Sequence, residues 1–525
     1  MNGSTFDCAL SFFSSRRVIP SAMLPMLLVL GMANAAEPVR LHSGLVSGEV
    51  LDLSVNLQAF RGVPYAAPPV GDLRWRPPQD VKAWDGVRES VAFGPVCPQN
   101  DGLSGLVGDA LPPTNEDCLF VNVWTTQAGT DAGQPVMVWI HGGGFSVGWS
   151  NQSAFEGSEF AKRGITLVTI NYRVGPLGYL AHPALSAESE RNVSGNYGFL
   201  DQVAALKWVK TNIEAFGGDP DNVTIFGESA GGSSVEALCV SPLAKGLFHR
   251  AILQSPAGSR YTMLKKSTSD QRSAEEIGET WAAQFLESDD DDPLAALRKV
   301  SADTFLANLE GFRSYAAIDG WFMVDTPKNL FAKGQQYDVP MIVGTNSHEG
   351  ASRASRTSLK TVEDYRESIN RRFGDSAETI LALYPVTNGN EIFSALNKHS
   401  TDRVFVSGAT RMLRGMSGVS SNAYQYVFTR GSSRKPQQGA FHSAEMCYVF
   451  NTVHPEEEQS DDPELASAMI QYWAQFAKTG DPNVEGLPEW PEYTSDEAAY
   501  LELGETIVAG SKYRHKELEV LESIR

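Results

Sequence analysis

Basic residues are scarce in this chain. Lys and Arg number 43 against 63 Asp and Glu, a formal charge of −20 with a pI near 4.9. Phosphate binding needs a basic face, so this balance argues against nucleic acid as a partner. Long apolar runs are missing too. Beyond residues 22–33, no segment approaches the ~20 residues that a spanning helix needs, so no stable membrane anchor is expected. Cysteine is sparse, 5 in 525 residues, too thin for a disulfide-built scaffold. No fixed sequence period marks a repeat architecture.

What is present begins with an export pattern. Arg16 and Arg17 precede the short apolar stretch AMLPMLLVLGMA, and Ala33-Asn34-Ala35 offers a small-x-small cleavage site. Residues 1–35 are expected to be a signal peptide, and the mature chain, 36–525, to be secreted or periplasmic. The SRRVI segment leaves the Sec and twin-arginine routes both open. Cys8 is removed with the signal. Cys97 and Cys118 bracket a loop rich in Gly, Pro, Asn and Asp, where a disulfide would contribute roughly 3 kcal/mol. A zinc site is the rival reading, but no Cys or His partner lies at ligand spacing. Cys239 and Cys447 have apolar neighbours, which suits buried thiols or a second bridge.

Short alternating segments between Leu41 and Trp124 predict a small antiparallel β region. From Pro135 the pattern changes to continuous apolar strands, PVMVWI, ITLVTINYR, VTIF, HRAILQS, VPMIVGT and YQYVFT. Helical segments alternate with them: NYGFLDQVAALKWVKTNIEAFGG, closed by Gly217-Gly218, and SAMIQYWAQFAKTG, ended by Gly480 and Pro482. Such alternation predicts an α/β fold, a large and mostly parallel sheet covered by helices. The polar stretches Ser267–Leu309 and Ser358–His399 lack linker composition and are expected as helical excursions from one domain. The run Asp289–Asp292 reads as a solvated turn. As a calcium loop it lacks spaced ligands.

The chemistry concentrates at VTIFGESAGGSS. Gly227-Glu228-Ser229-Ala230-Gly231 fits G-x-S-x-G between a strand and helical residues, the context of a nucleophile elbow. Glycine at both flanks lets the backbone turn sharply, lifting the Ser229 hydroxyl to the sheet's carboxyl edge beside the Ala230 N–H. A second segment, HGGGF, follows the strand PVMVWI. Consecutive glycines can present N–H groups to a developing oxyanion, with Gly143 and Gly144 as the donors and Ala230 as the third. It fails as a phosphate loop because no GK[ST] follows. The order Ser, acid, His then points to Glu349 in TNSHEGAS, after a strand. Of His399, His442, His454 and His515, the small-residue loop GAFHSAEM favours His442.

Taken together, FRGVPYAAPPVGDLRWRPP, EDCLFVNVW, HGGGF, the elbow with its preceding helix, SPLAKGLFHRAILQS and HSAEMCYVF resemble the type-B carboxylesterase family, which includes the cholinesterases. The resemblance spans nearly the whole mature chain. It implies an α/β-hydrolase fold with helical excursions over the active site. It also implies Ser229 as nucleophile, Glu349 as acid, His442 as base, the Gly143, Gly144 and Ala230 oxyanion hole, and a Cys97–Cys118 bridge. Ser255 and Glu228 are implied as supports of the triad. No metal or organic cofactor is implied, and the partner is a small-molecule ester. Acyl and alcohol preference and oligomeric state stay open. A lactone, carbamate, thioester or polyester suits the same machinery, and the family includes adhesion proteins without a nucleophile. One departure stands out: the Cys97–Cys118 loop has no aromatic residue, so a choline site of the cation–π kind is not expected.

Overall fold

A computed structural model of the chain describes residues 35–524, apart from 105–107, 257–260, 269–270, 288–291, 433–434 and 454–461. The export segment before Ala35, His454 and the acids at 289–291 lie outside the described residues.

The main sheet has 11 strands. In chain order they are β1 (Glu49–Asp52), β2 (Leu57–Pro64), β3 (Phe120–Thr125), β4 (Gln134–Ile140), β5 (Thr166–Ile170), β6 (Gly218–Glu228), β7 (Arg250–Gln254), β8 (Met341–Asn346), β9 (Ala423–Phe428), β10 (Ala499–Leu503) and β11 (Ile507–Ser511). Their order across the sheet is β11-β10-β9-β8-β7-β6-β4-β5-β3-β2-β1. From β10 across to β5 every pairing is parallel, while both edges are antiparallel.

The apolar runs explain the layering. Successive strand side chains point to opposite faces, so a run without polar alternation must be covered twice. Val136, Val138 and Ile140 join Ile225, Leu253 and Val343 in one core. Met137 and Trp139 join Phe226, Ile252 and Ile342 in the other. The first core is covered by α1 (Tyr197–Asn212), α2 (Ala230–Leu238) and the later helix Ser407–Gly415. The second is covered by the long helix Asp462–Thr479, through Tyr472, Trp473 and Phe476. Helix α1 is buried on nearly all sides, which its spacing at three and four residues did not disclose. A short 3₁₀ turn extends it to Phe216, and Gly217, left-handed at φ +74°, ends it.

The N-terminal strands are antiparallel as expected: β1, β2 and β3 form the antiparallel flank of the main sheet, joined to it by Val121↔Ile170 and its neighbours. Only Val39–Leu41, Gly44–Ser47 and Val87–Glu89 form a small sheet of their own. Alternation reports a half-buried strand, not the partner it pairs with. The Ser358–His399 excursion is helical as expected. Its helices Val362–Phe373 and Ile392–Ser400 enclose a local apolar cluster that includes Tyr365, Ile369, Ile380 and Tyr384. Among the described residues no helix is long and apolar enough to cross a membrane.

Candidate active site

The parallel strands end in near register. Ile140 pairs with Gly227, Gln254 with Glu228, and Gln254 with Gly344. The loops after β4, β6, β7, β8 and β9 therefore open at one carboxyl edge, where ligands bind in open α/β sheets. Those loops carry Gly142–Gly144, Ser229, Ser255, Glu349 and His442.

Ser229 sits between the end of β6 and the start of α2 at φ 56°, ψ −119°. That conformation is strained for a residue with a side chain, and it persists only where the surroundings fix it. The flanking glycines show how tight the fixing is. A Cβ on Gly231 would lie 2.0 Å from the Ile140 carbonyl oxygen, and one on Gly227 would lie 2.6 Å from it. Both are distances no Cβ tolerates, so the elbow accepts only glycine at these positions.

The hydroxyl meets His442 at once. Ser229 Oγ lies 2.8 Å from His442 Nε2, and His442 Nδ1 lies 2.6 Å from Glu349 Oε2. The other carboxylate oxygen of Glu349 accepts from the Asn346 N–H at 2.7 Å and from the Ser255 hydroxyl. Glu349 is 3% exposed. A hydroxyl, an imidazole and a carboxylate are thus hydrogen-bonded in series, with the carboxylate itself held by two further donors. The Phe405 ring packs on the imidazole, centroids 4.8 Å apart. It projects from a π-helical turn, Thr401–Val406, that joins helices Ile392–Ser400 and Ser407–Gly415.

More negative charge surrounds His442 than a triad requires. Glu228 Oε1 lies 3.3 Å from His442 Nε2 and accepts from the Ser443 hydroxyl at 2.7 Å. Glu445, fully buried, accepts from Asn346 Nδ2 at 2.6 Å and from Gln254 Nε2 at 3.3 Å. Burial pushes Glu228 up, and burial followed by repulsion from Glu228 and Glu349 pushes Glu445 up to about 8. For His442, burial acts downward but is outweighed by Glu228, then Glu349, and the imidazole is pushed up to about 10. The geometry therefore favours imidazolium, the species formed when His442 takes a proton.

The opposite wall carries no charge. Gly143 and Gly144 are left-handed, at φ +110° and +63°. Gly142 is so close to the elbow that a Cβ there would sit 2.8 Å from the Glu228 carbonyl oxygen and 3.1 Å from Ser229 Cβ. The N–H groups of Gly143, Gly144 and Ala230 have no protein acceptor among the described residues, so they are available to an oxygen above Ser229. His141, behind this loop, is held neutral by burial, at about 4.

The remaining sequence candidates lie elsewhere. His399 is buried against Phe373 and Tyr384, and His515 pairs with Glu519 at the surface. Cys97 and Cys118 are buried side by side as two thiols, not as the expected bridge; a hydrogen bond with Cys97, together with burial, holds the Cys118 thiol well above its usual range. Cys239 is a buried thiol and Cys447 a half-buried one. Among the described residues no cluster of His, Cys, Asp or Glu could hold a metal ion. Sequence reasoning missed Glu445, Asn346, Gln254 and Phe405. Only the position of Glu445, three residues after His442, offered any local hint.

With this geometry in place, comparison with known proteins gives one consistent answer. Residues 35–521 match the Carboxylesterase family. The chain is 37% identical over 460 residues to the fumonisin B1 esterase of Sphingopyxis macrogoltabida, covering 85% of this chain and 83% of that protein. It is 36% identical over 456 residues to the para-nitrobenzyl esterase of Bacillus subtilis (strain 168), covering 83% and 88%. A solved structure of a PNB esterase superposes with a TM-score of 0.78 at 32% identity, covering 92% of this chain and 99% of that one.

Proposed function

The chain belongs to the Carboxylesterase family, and from that premise we propose that it cleaves carboxylic esters through an acyl-enzyme on Ser229. The observation that carries this reading is the unbroken relay from Ser229 Oγ through His442 to Glu349, at 2.8 and 2.6 Å.

His442 Nε2 takes the hydroxyl proton as Ser229 Oγ attacks the ester carbonyl carbon. The Gly143, Gly144 and Ala230 N–H groups stabilise the oxyanion of the tetrahedral intermediate. Glu349 fixes the tautomer and offsets the charge of the imidazolium. His442 then hands its proton to the departing alkoxide, leaving the acyl group on Ser229. Water repeats the sequence, releasing the carboxylic acid and free enzyme. The serine proton leaves with the alcohol and a proton from water restores it, so the cycle closes on unchanged enzyme and calls on no metal or organic cofactor.

Export by the signal ending near Ala35, and a Cys97–Cys118 bridge formed in the oxidising compartment it leads to, belong to the same reading. N-terminal sequencing of the exported protein and thiol titration before and after reduction check them. The central test is labelling by a fluorophosphonate with peptide mapping. Modification of Ser229, abolished together with ester hydrolysis in Ser229→Ala, is the expected result. Labelling of a different serine in active protein would overturn the assignment.

A further inference from the structure

The glycine loop that faces Ser229 is folded back on itself. The Gly143 carbonyl accepts from the N–H groups of Ser146 and Val147, both at 3.1 Å, and the Phe145 carbonyl accepts from the Gly175 N–H at 2.7 Å. The loop closes at Gly148, left-handed at φ +121° and pressed so near its start that a Cβ there would lie 2.3 Å from the Gly142 carbonyl oxygen. Gly148 therefore sets where Gly142 to Gly144 stand.

Gly148 is held from outside the loop by one side chain. Its N–H donates to Gln99 Oε1 at 2.6 Å, and its carbonyl accepts from Gln99 Nε2 at 2.9 Å. Nε2 also donates to the Cys97 carbonyl at 3.0 Å, tying the amide to its own segment. Gln99 is 4% exposed. Among uncharged side chains only an amide both donates and accepts in this planar, two-point manner. Buried in this way, an unmade half of the clamp leaves a backbone group without a partner, at a cost greater than the bond's net worth.

Resting on the esterase reading above, we propose that Gln99 is a positioning residue for the oxyanion hole. It acts through Gly148 and touches no reacting atom. The segment after Cys97 thereby carries the clamp that keeps the Gly143 and Gly144 N–H groups aimed at the oxygen above Ser229. The adjoining residue fastens the segment in turn, since Asn100 Nδ2 donates to the Leu306 carbonyl at 3.0 Å.

Two variants separate the clamp from mere packing. Gln99→Met keeps the volume and removes all three polar contacts. Gln99→Glu keeps the acceptor for the Gly148 N–H and loses the donor to its carbonyl. Removing one oxyanion donor outright costs about 10²–10³ in turnover, so displacing donors that remain present should lower kcat by roughly 10- to 10²-fold. KM should change by less than about threefold, because the ground-state carbonyl gains little from the hole. The discriminating readout is a trifluoromethyl ketone, whose tetrahedral adduct on Ser229 places an oxyanion in the same hole. Its inhibition constant should weaken by the same factor as kcat/KM across a series of esters, with Gln99→Glu between wild type and Gln99→Met. Wild-type kcat in Gln99→Met, or a lowered kcat with unchanged ketone affinity, overturns the proposal while the esterase reading stands. A wild-type protein that neither hydrolyses esters nor forms the ketone adduct overturns both.

Discussion

The two walls beside Ser229 are built by opposite means. On one side stand four buried or half-buried ionisable groups, Glu228, Glu349, His442 and Glu445, gathered from the end of β6 and the loops after β8 and β9. On the other stand three backbone N–H groups with no charged side chain among them, and a histidine, His141, that burial keeps neutral. The same residue type is thus driven to about 10 on one wall and about 4 on the other. The difference follows the proposed reaction, in which a positive imidazolium forms on the first wall and a negative oxygen at the second, each meeting complementary charge or dipoles already fixed. The charged wall needs long-range contacts between distant segments. The neutral wall needs glycines that no larger residue can replace.

The comparison breaks most completely at the charged wall. His442→Ala removes the base that meets Ser229 Oγ, and ester turnover should fall by about 10⁴-fold or more. Purified variant assayed at saturating ester, with unchanged melting temperature, checks this. Retention of most activity would mean that the relay is not the working one.

On the neutral wall the largest effect is expected at Gly143. A Cβ there would lie 2.0 Å from the Val147 carbonyl oxygen, in a left-handed conformation that side chains resist. In Gly143→Ala the loop must open and one donor swings away, so kcat should drop about 10²- to 10³-fold. His442 should still titrate normally by NMR, showing the charged wall undisturbed.

The pH profile sharpens the contrast between the carboxylates. Only neutral imidazole acts as base, so a raised pKa moves the rising limb of kcat/KM above the ordinary histidine range near 6.5. Glu228 exerts the strongest upward pull on His442. Glu228→Gln removes it, and the limb should move to lower pH. Glu445→Gln should move it less. Glu445 comes last among the carboxylates that raise His442, after Glu228 and Glu349. Equal displacements in the two variants would contradict this ranking.

The sequence disclosed these walls unequally. The elbow and the glycine loop are local: a strand running into Gly-Glu-Ser-Ala-Gly states its own geometry, because only glycine survives at Gly227 and Gly231. Glu349 and His442 could be ordered by the Ser–acid–His sequence and by their loops. The rest of the charged wall could not be read. Glu445 meets Gln254 and Asn346, which are 191 and 99 residues away in the chain, and no window of sequence contains such a meeting. Gln99 is similar. Its segment reads as a polar loop, yet its amide is buried against Gly148, 49 residues on. The antiparallel strands near the N-terminus were visible as strands, but their continuity with the main sheet is a matter of partner, which alternation leaves open.

The smallest expected effect concerns whether the charged wall attracts a cationic alcohol. A quaternary ammonium held over an aromatic face gains up to about 2 kcal/mol when desolvated, or nearly thirtyfold in affinity. The loop between Cys97 and Cys118 supplies no such face. Trp149 is 1% exposed and so closed to a ligand. Trp321 lines a different cleft, of about 490 Å³, together with Trp75 and Arg76. Phe405 lies beside the site, but its ring is engaged with the imidazole of His442. Glu228 does carry charge near Ser229, yet it is buried and committed to His442 and Ser443. A choline ester should therefore be turned over with an efficiency within about tenfold of a neutral ester of the same acid and similar alcohol size, the margin being one step of about 1.4 kcal/mol. The measurement is kcat/KM for the matched pair at two ionic strengths. A preference above tenfold that survives added salt would reveal an aromatic platform on the charged wall. One that vanishes with salt would trace instead to the overall charge of −20.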